Sequence, residues 1–136
     1  MKVSTKSRYA IKLMLDISEN EHKGNVSVRD ISVRTGIPLK YLEQIVGILC
    51  KTGFVKSQRG AQGGYTLTRK CDKCTMGDII RTMEGDISGD YIDDGAAVND
   101  FWDKLYATLN EYMDSVTLND IIESEKVRNG VYEYYI

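Results

Sequence analysis

The chain has 136 residues, of which 42% are hydrophobic and 28% charged, and its 18 Lys and Arg against 20 Asp and Glu leave a formal charge of −2. This length and composition predict one domain, or a small core with an added element, and exclude a disordered chain. No stretch approaches the roughly 20 apolar residues of a membrane helix and the start lacks a signal-peptide core, so we expect a cytoplasmic protein without membrane contact. Three cysteines are too few for a disulfide framework.

The charges are divided unevenly along the chain. Residues 1–75, the basic half, carry 14 Lys and Arg against 6 Asp and Glu, a net of +8. Residues 76–136, the acidic half, carry 4 against 14, a net of −10. Such asymmetry is typical of a basic working module joined to an acidic remainder.

Two helices are predicted at the start of the basic half. In the segment 5–19, apolar residues recur with helical spacing at Tyr9, Leu13 and Ile17. Ser27 is placed to cap a second helix from Val28 to Thr35, with Asp30 completing a capping box, and Gly36 suits the position after its last turn.

A third helix follows after a short turn. Pro38 fits its first turn, where a missing backbone N–H costs nothing, and the helix extends to about Lys51. Its predicted core positions are Leu42, Ile45, Val46 and Leu49. Two helices joined by a short glycine-containing turn are typical of a helix-turn-helix.

A basic, glycine-rich loop, 56–64, separates two short predicted strands. Phe54 and Val55 open the first strand, and residues 65–68 alternate as the second. A helix-turn-helix followed directly by a two-stranded hairpin is the layout of a winged helix. We therefore expect a mainly α fold with a small β-hairpin wing, in which residues 1–75 form a winged helix-turn-helix DNA-binding region.

The acidic half is predicted to hold a linker helix, a long dimerisation helix and a C-terminal tail, within one compact domain per protomer. Thr75 and Asp78 predict a capping box for a helix ending near Gly85, and an acidic loop, 86–94, follows. Between 98 and 116, apolar residues step by three and four, at Trp102, Leu105, Leu109, Tyr112 and Val116. This a/d spacing keeps one apolar stripe against a partner helix, so we expect a homodimer.

The end of the chain carries two weaker patterns. Thr117 is placed to cap a last short helix through Ile122. The final residues, 131–136, are aromatic and strand-like.

No residue set in the sequence supports catalysis. The only histidine, His22, lies in a polar turn and is typical of a solvated surface residue. The glycine-rich run 60–64 lacks the GK[ST] ending of a phosphate-binding loop, and the acidic loop lacks the glutamate that closes a calcium loop. We therefore expect a protein that is not an enzyme.

The basic half instead carries side chains suited to double-stranded DNA. The first turns of the second helix of a helix-turn-helix enter the major groove, where Gln44 can pair with adenine and Glu43 can accept from cytosine. Arg59 at the hairpin tip can enter a narrow minor groove, and the loop glycines would let the backbone approach phosphates closely. The predicted DNA-contact set is Ser27, Pro38, Leu39, Lys40, Tyr41, Glu43, Gln44, Arg59, Gly60, Gln62, Gly63 and Gly64.

Cys71 and Cys74 form a lone C-x-x-C after the wing, whose role stays open between a thiol switch and an incidental pair. A thiolate would be favoured by three basic neighbours, Arg69, Lys70 and Lys73. A structural zinc site needs four ligands, and the chain offers neither a second pair nor a nearby histidine. The two cysteines are therefore weak metal candidates, no cofactor is predicted, and Cys50 is interpreted as a packed small hydrophobe.

These motifs resemble the Rrf-type winged-helix transcriptional regulators, which include iron–sulfur cluster regulators, nitric-oxide sensors and cysteine-metabolism repressors. The likeness covers nearly the whole chain and rests on the runs 5–10, 41–45, 55–65, 77–80 and 84–85. Its most specific part is Tyr-Leu-Glu-Gln together with Arg-Gly-x-x-Gly-Gly-Tyr. The resemblance implies a homodimer paired through the long helix, with DNA contacts from the recognition helix and the wing.

One departure from the family pattern narrows the resemblance. Cluster-binding members carry three cysteines in the loop before the dimer helix, whereas residues 86–100 here hold none. The chain is therefore more similar to the clusterless cysteine-metabolism repressors. The same branch is resembled by the helix with Trp102, by the run 115–120 and by the aromatic end with Tyr135 and Ile136. Those repressors act with O-acetylserine sulfhydrylase, so the resemblance implies that enzyme, or another metabolic enzyme, as a partner.

Three functional hypotheses follow from the sequence. The first is a homodimeric, sequence-specific repressor of sulfur or cysteine metabolism that binds a palindromic operator without a cofactor of its own. The second is a redox- or metal-responsive regulator that senses through Cys71 and Cys74. The third is a protein-interaction module whose acidic half and tail, ending in Tyr135 and Ile136, bind an enzyme.

Overall fold

The computed structural model describes residues 3–89 and 92–130. Within them the chain is mainly helical, with one two-stranded antiparallel sheet, so the expected fold class is confirmed. Short 3₁₀ turns at Glu21–Lys23 and Arg69–Asp72 join larger elements. In chain order these are α1 Thr5–Asn20, α2 Val28–Thr35, α3 Leu39–Lys51, β1 Val55–Gln58, β2 Gly64–Leu67, α4 Met76–Glu84, α5 Ala96–Ser115 and α6 Leu118–Arg128. None of these helices is long and apolar enough to cross a membrane.

Predicted side-chain caps begin three of the six helices that the structure describes, α2, α4 and α6. The Ser27 hydroxyl accepts a hydrogen bond from the Asp30 backbone N–H at 3.1 Å, and Gly36 ends α2 in the left-handed conformation, with φ +77°. Thr75 and Asp78 form the full reciprocal capping box at the start of α4. A side-chain cap satisfies backbone N–H groups that have no partner inside the helix, so these short motifs determine where a helix begins.

The segment between α5 and α6 differs from the prediction. Val116 was expected to end the apolar seam of the long helix, but α5 ends at Ser115 and Val116 is extended, with φ −110° and ψ 120°. The cause is tertiary, because the Met76 N–H donates to the Val116 carbonyl at 2.7 Å and Thr75 bridges to Thr117. Val116 therefore lies just outside α5, and its part in the dimer contact stays a prediction.

The last helix is longer than expected. Thr117 caps α6 as predicted, through a capping box with Asp120, but the helix continues past Ile122 to Arg128. Beyond Ile122 the sequence has no apolar periodicity, so the pattern did not indicate a helix there. The extension is favoured by basic residues in the last turn, which interact well with the helix dipole. The strand-like segment 131–136 lies outside the described residues.

The wing is a short hairpin with a tighter loop than predicted. Its register pairs Val55 with Leu67 and Gln58 with Gly64, so the strands reach further toward the tip and the loop is 59–63 rather than 56–64. The position of Pro38 also differs slightly from the prediction, because Pro38 occupies the N-cap position directly before α3 and not its first turn. Its carbonyl still accepts from the N–H groups of Tyr41 and Leu42 at 3.0 and 3.2 Å.

The hydrophobic core surrounds α1, which packs against α2, α3 and α4. The four predicted core positions of α3 are confirmed as buried. Burial of each such side chain contributes about 1.5–3 kcal/mol to folding. The fully buried members of the core include Leu13, Met14, Ile17, Ile31, Leu42, Leu49, Phe54, Ile79 and Leu118.

Candidate nucleic-acid interface

The helix-turn-helix is held in place by one ion pair from its first helix to α1. Arg34 of α2 makes a bidentate contact with Asp16, in which Nε lies 2.9 Å from Oδ1 and Nη2 lies 2.8 Å from Oδ2. The Asp16 side chain is 8% exposed, so the pair is shielded on the carboxylate side. In the turn, Ile37 is buried and its carbonyl accepts from the Ser32 hydroxyl at 2.6 Å. These contacts fix the angle at which α3 leaves the turn.

The recognition helix α3 separates its core-facing and solvent-facing residues sharply. Leu42, Ile45 and Val46 are buried. All five residues that were predicted to contact bases or phosphates are exposed at its N-terminal end, namely Leu39, Lys40, Tyr41, Glu43 and Gln44. Because positions i, i+3 and i+4 share a helix face, Lys40, Glu43 and Gln44 form one polar surface.

The wing places its tip against the segment that leads into α2. Arg59, Gly60 and Gln62 are exposed, and the Gln62 carbonyl accepts from the Asn25 side-chain amide at 3.1 Å. The tip is thereby tied to the segment that leads into α2. A groove of about 860 Å³ runs between the two, and its lining includes Lys23, Asn25, Ser27, Arg59 and Gln62.

Two of the predicted loop glycines have a structural role that the sequence did not reveal. A Cβ atom on Gly64 would lie 2.7 Å from the Val26 carbonyl oxygen, and one on Gly63 would lie 2.5 Å from the Gln58 carbonyl oxygen. The close approach at Gly64 follows from paired hydrogen bonds between Val26 and Tyr65, at 2.9 and 2.8 Å. Gly64 therefore lets the wing pack on the segment before α2, Gly63 permits the tight turn within the wing itself, and Gly60 faces open space.

Cys71 and Cys74 lie in the core beneath the wing, 5% and 2% exposed. The Cys71 thiol donates to the Phe54 carbonyl at 3.0 Å. A separate interaction, between the Cys71 and Cys74 side chains, is the main cause that raises the pKa of Cys71 and lowers the pKa of Cys74. The expected basic neighbours are not the main cause, and the Lys70 ammonium is directed to the Thr52 carbonyl at 2.7 Å.

The metal and cofactor chemistry of the chain is limited by its donor atoms. Among residues 3–89 and 92–130, no group of three or more His, Cys, Asp or Glu side chains is arranged to hold a metal ion. Cys50 is half-buried at the end of α3, where burial raises the pKa of its thiol, as expected of a packed residue. The sequence of the segment 86–95 before α5 contains no cysteine, so it supplies no thiolate for an iron–sulfur cluster there.

The long helix α5 leaves an apolar stripe uncovered. Trp102, Leu105 and Tyr112 of the predicted seam are 42%, 37% and 69% exposed, and Leu109 is half-buried. Val98 and Phe101 extend the stripe toward the N-terminus, with the Phe101 and Trp102 rings in edge contact at 5.1 Å. Sequence reasoning missed these two, although Val98 lies four positions before Trp102 and continues the same spacing.

A helix-turn-helix with a polar recognition surface, followed by a β-wing in a basic half, defines a winged-helix DNA-binding protein. The model of the Rrf2 family, described as an iron-dependent transcriptional regulator, matches residues 3–124. The chain belongs to this family of transcriptional regulators, and it binds DNA rather than acting as an enzyme. Regulation through Cys71 and Cys74 is not favoured, since both thiols are buried and lack further ligands in the described part of the chain.

Individual relatives agree with this assignment. The transcriptional regulator CymR of Bacillus subtilis is 37% identical over 138 aligned positions, which cover 100% of both chains. Its solved structure, titled as that of the global cysteine regulator, superposes with a TM-score of 0.83 and covers 91% of this chain and 98% of that one. The structure of T. potens IscR is 39% identical, with a TM-score of 0.77 over 92% of this chain and 88% of that one.

Proposed function

We propose that this protein is a homodimeric transcriptional repressor whose α3 and wing contact each half of a palindromic operator. The observation that carries the proposal is the arrangement of α3, in which Lys40, Glu43 and Gln44 share one exposed polar face while the opposite face is buried in the core. A side chain on a rigid exposed helix face can reach base edges in the major groove without unfolding any part of the domain.

The proposed contacts have distinct chemical roles. Gln44 pairs with an adenine, Glu43 accepts from a cytosine amino group, and Arg59 enters the minor groove. Lys40 and Tyr41 contact phosphates or base edges. Supporting contacts to the DNA backbone come from the exposed Pro38, Leu39, Gly60 and Gln62 and from the half-buried Ser27.

The homodimer is proposed to form through α5. The exposed stripe from Val98 to Tyr112 has the spacing of a helix that packs against another helix. A two-fold dimer presents two recognition helices with the symmetry of a palindrome. In this dimer the apolar stripe of the acidic half is removed from water whether or not DNA is bound.

The proposed target genes belong to sulfur or cysteine metabolism. Support comes from the similarity to CymR, whose structure is titled as the global cysteine regulator of Bacillus subtilis. The resemblance to clusterless repressors also supports O-acetylserine sulfhydrylase as a partner. In the sequence, Tyr135 and Ile136 are the candidate contact, at positions that lie outside the described residues.

The DNA proposal is tested by selecting binding sites from a random-sequence duplex pool with the purified protein. We expect an enriched palindrome, and gel mobility shifts on it should weaken steeply as the salt concentration rises, since phosphate contacts release counterions. No enrichment of any sequence, or enrichment of an asymmetric single site, would contradict the proposal.

The enzyme partner needs a separate experiment. Purified O-acetylserine sulfhydrylase is mixed with the full chain and with a variant that lacks Tyr135 and Ile136, and complex formation is followed by size-exclusion chromatography. We expect a complex with the full chain alone. An identical elution profile for both chains would reject the tail as the contact.

A further inference from the structure

The N-terminus of α1 lacks a cap of its own. Ser4 occupies the N-cap position without a side-chain cap hydrogen bond, and the first turn contains no acidic residue. The first backbone N–H groups of a helix need partners, and its positive dipole end favours a negative charge. A helix at the centre of the core therefore depends on another element at this end.

Glu84, the last residue of α4, supplies both the acceptor and the charge. Its Oε1 accepts from the Ser4 backbone N–H at 2.8 Å, from the Ser4 hydroxyl and from the buried Ser7 hydroxyl at 2.8 Å. These hydrogen bonds lower the pKa of Glu84, with a further contribution from the positive charge of Lys6. The carboxylate is thus a cap for α1 that comes from 80 residues away in the chain.

The capped end of α1 packs beside the recognition helix, within the DNA-binding body formed by α1, α2, α3 and the wing. The rings of Tyr9 and Tyr41 lie 6.3 Å apart, and a groove between the start of α1 and α3 is lined by Ser4, Lys6 and Gln44 among others. Whatever fixes this end of α1 therefore fixes the body that carries the DNA-contacting surface.

The other contacts of α4 lead to the long helix. Arg81, one turn before Glu84, donates to the Asn110 side-chain oxygen at 2.9 Å and forms an ion pair with Asp114 of α5. Gly85, with φ +85°, ends α4 directly after Glu84. One turn of α4 thus contacts α5 on one side and α1 on the other.

We propose that Glu84 is a positioning residue for operator recognition, which holds the DNA-binding body at a set place relative to α5. The inference rests on the proposed dimer. Two recognition helices bind one palindrome together only if their separation matches the half-site spacing. Without the Glu84 contact, this separation varies more and the second half-site is engaged at a lower effective concentration. Binding of one protomer to one half-site does not depend on the separation.

The test compares two DNA probes, the palindromic duplex selected by the wild-type protein and a duplex that carries only one of its half-sites. For Glu84→Ala we expect the affinity for the palindrome to fall by about tenfold or more, and the affinity for the half-site to change less than about twofold. Glu84→Gln retains an acceptor oxygen without the charge, so its loss on the palindrome should be smaller. Glu111→Gln removes the same charge from an exposed position of α5 and should behave as wild type.

Equal losses on both probes would overturn the proposal, as would a lowered melting temperature with unchanged affinity for both. Ser7→Ala should show the same selective loss in weaker form, and combining it with Glu84→Ala should add little further loss, because both remove one hydrogen-bonded unit. If wild-type protein binds the palindrome no better than the half-site, the proposed dimeric function fails instead, which distinguishes the two outcomes.

Discussion

The basic and acidic halves of this chain solve the burial of apolar side chains in different ways. The basic half buries most of its large apolar residues in one core, and its exposed exceptions, Val33, Leu39 and Tyr41, lie on α2 and α3. The acidic half contributes Ile79, Met83 and Leu118 to that core, but its longest helix leaves Phe101, Trp102 and Tyr112 exposed. The exposed stripe on α5 supports the proposed dimer, in which a second copy of the chain covers the stripe.

The charge difference follows the same division. A net of +8 in the basic half favours approach to DNA, and a net of −10 in the acidic half repels it. The overall charge of −2 is therefore the sum of two opposed surfaces. Because the acidic half repels phosphate, we expect DNA to approach through the basic half.

The largest expected effect comes from placing a charge in the α5 stripe. Leu105→Asp should convert the proposed dimer to monomers in sedimentation velocity, because burying an unpaired carboxylate in the interface has a large free-energy cost. Operator affinity should then fall by about 10²–10⁴-fold through lost avidity. Glu111→Gln, at an exposed position of α5 outside the stripe, is the control and should remain dimeric with unchanged operator affinity. A Leu105→Asp protein that remains dimeric would show that α5 is not the interface.

Next in size is a stability effect in the basic half. Gly64→Ala should lower the free energy of unfolding by about 2–4 kcal/mol, because the new Cβ meets the Val26 backbone in a conformation with φ +150°. Gly60→Ala, which faces open space, should cost only about 1 kcal/mol. Chemical denaturation measures both. Equal losses would mean that the wing does not pack on Val26 as described.

Smaller effects are expected for single base contacts. Gln44→Ala and Arg59→Ala should each weaken binding to the selected operator by about 1–3 kcal/mol and leave binding to random duplex nearly unchanged. Asn119→Ala, an exposed amide on α6, is the matched control in fluorescence anisotropy titrations. If either variant loses the same amount on random DNA, that side chain contacts only phosphate.

The smallest effect is a pH dependence of stability at Glu84. Its pKa is held below the usual value by hydrogen bonds from Ser4 and Ser7. A carboxyl with a depressed folded pKa stabilises the fold above its unfolded pKa and loses this contribution as the pH falls through the folded pKa. Between about pH 5 and pH 3, the melting temperature of the wild type should therefore fall more than that of Glu84→Gln. Parallel curves would contradict this assignment.

Local signals in the sequence predicted much of the fold. The caps at Ser27, Thr75 and Thr117 mark helix starts because each bond lies within one helical turn. The burial of one face of α3 follows from helical spacing alone, and that face fixes which residues remain for DNA. The exposure of the proposed DNA-contact residues of α3 was therefore predictable.

Three of the features that sequence reasoning missed depend on distant segments. The early end of α5 results from pairing between the segments around Met76 and Val116. The need for glycine at position 64 comes from Val26, and the cap of α1 comes from Glu84. No local pattern reports which backbone or carboxylate the fold will bring close.

The central claim is that the basic half binds DNA while the acidic half forms the dimer. Native mass spectrometry of the wild-type protein on its selected palindromic duplex tests this claim most directly. We predict a complex of two chains per palindrome, and one bound chain per duplex when Leu105→Asp is used on a single half-site. A wild-type complex with one chain per palindrome, or no complex with any selected duplex, would contradict the account.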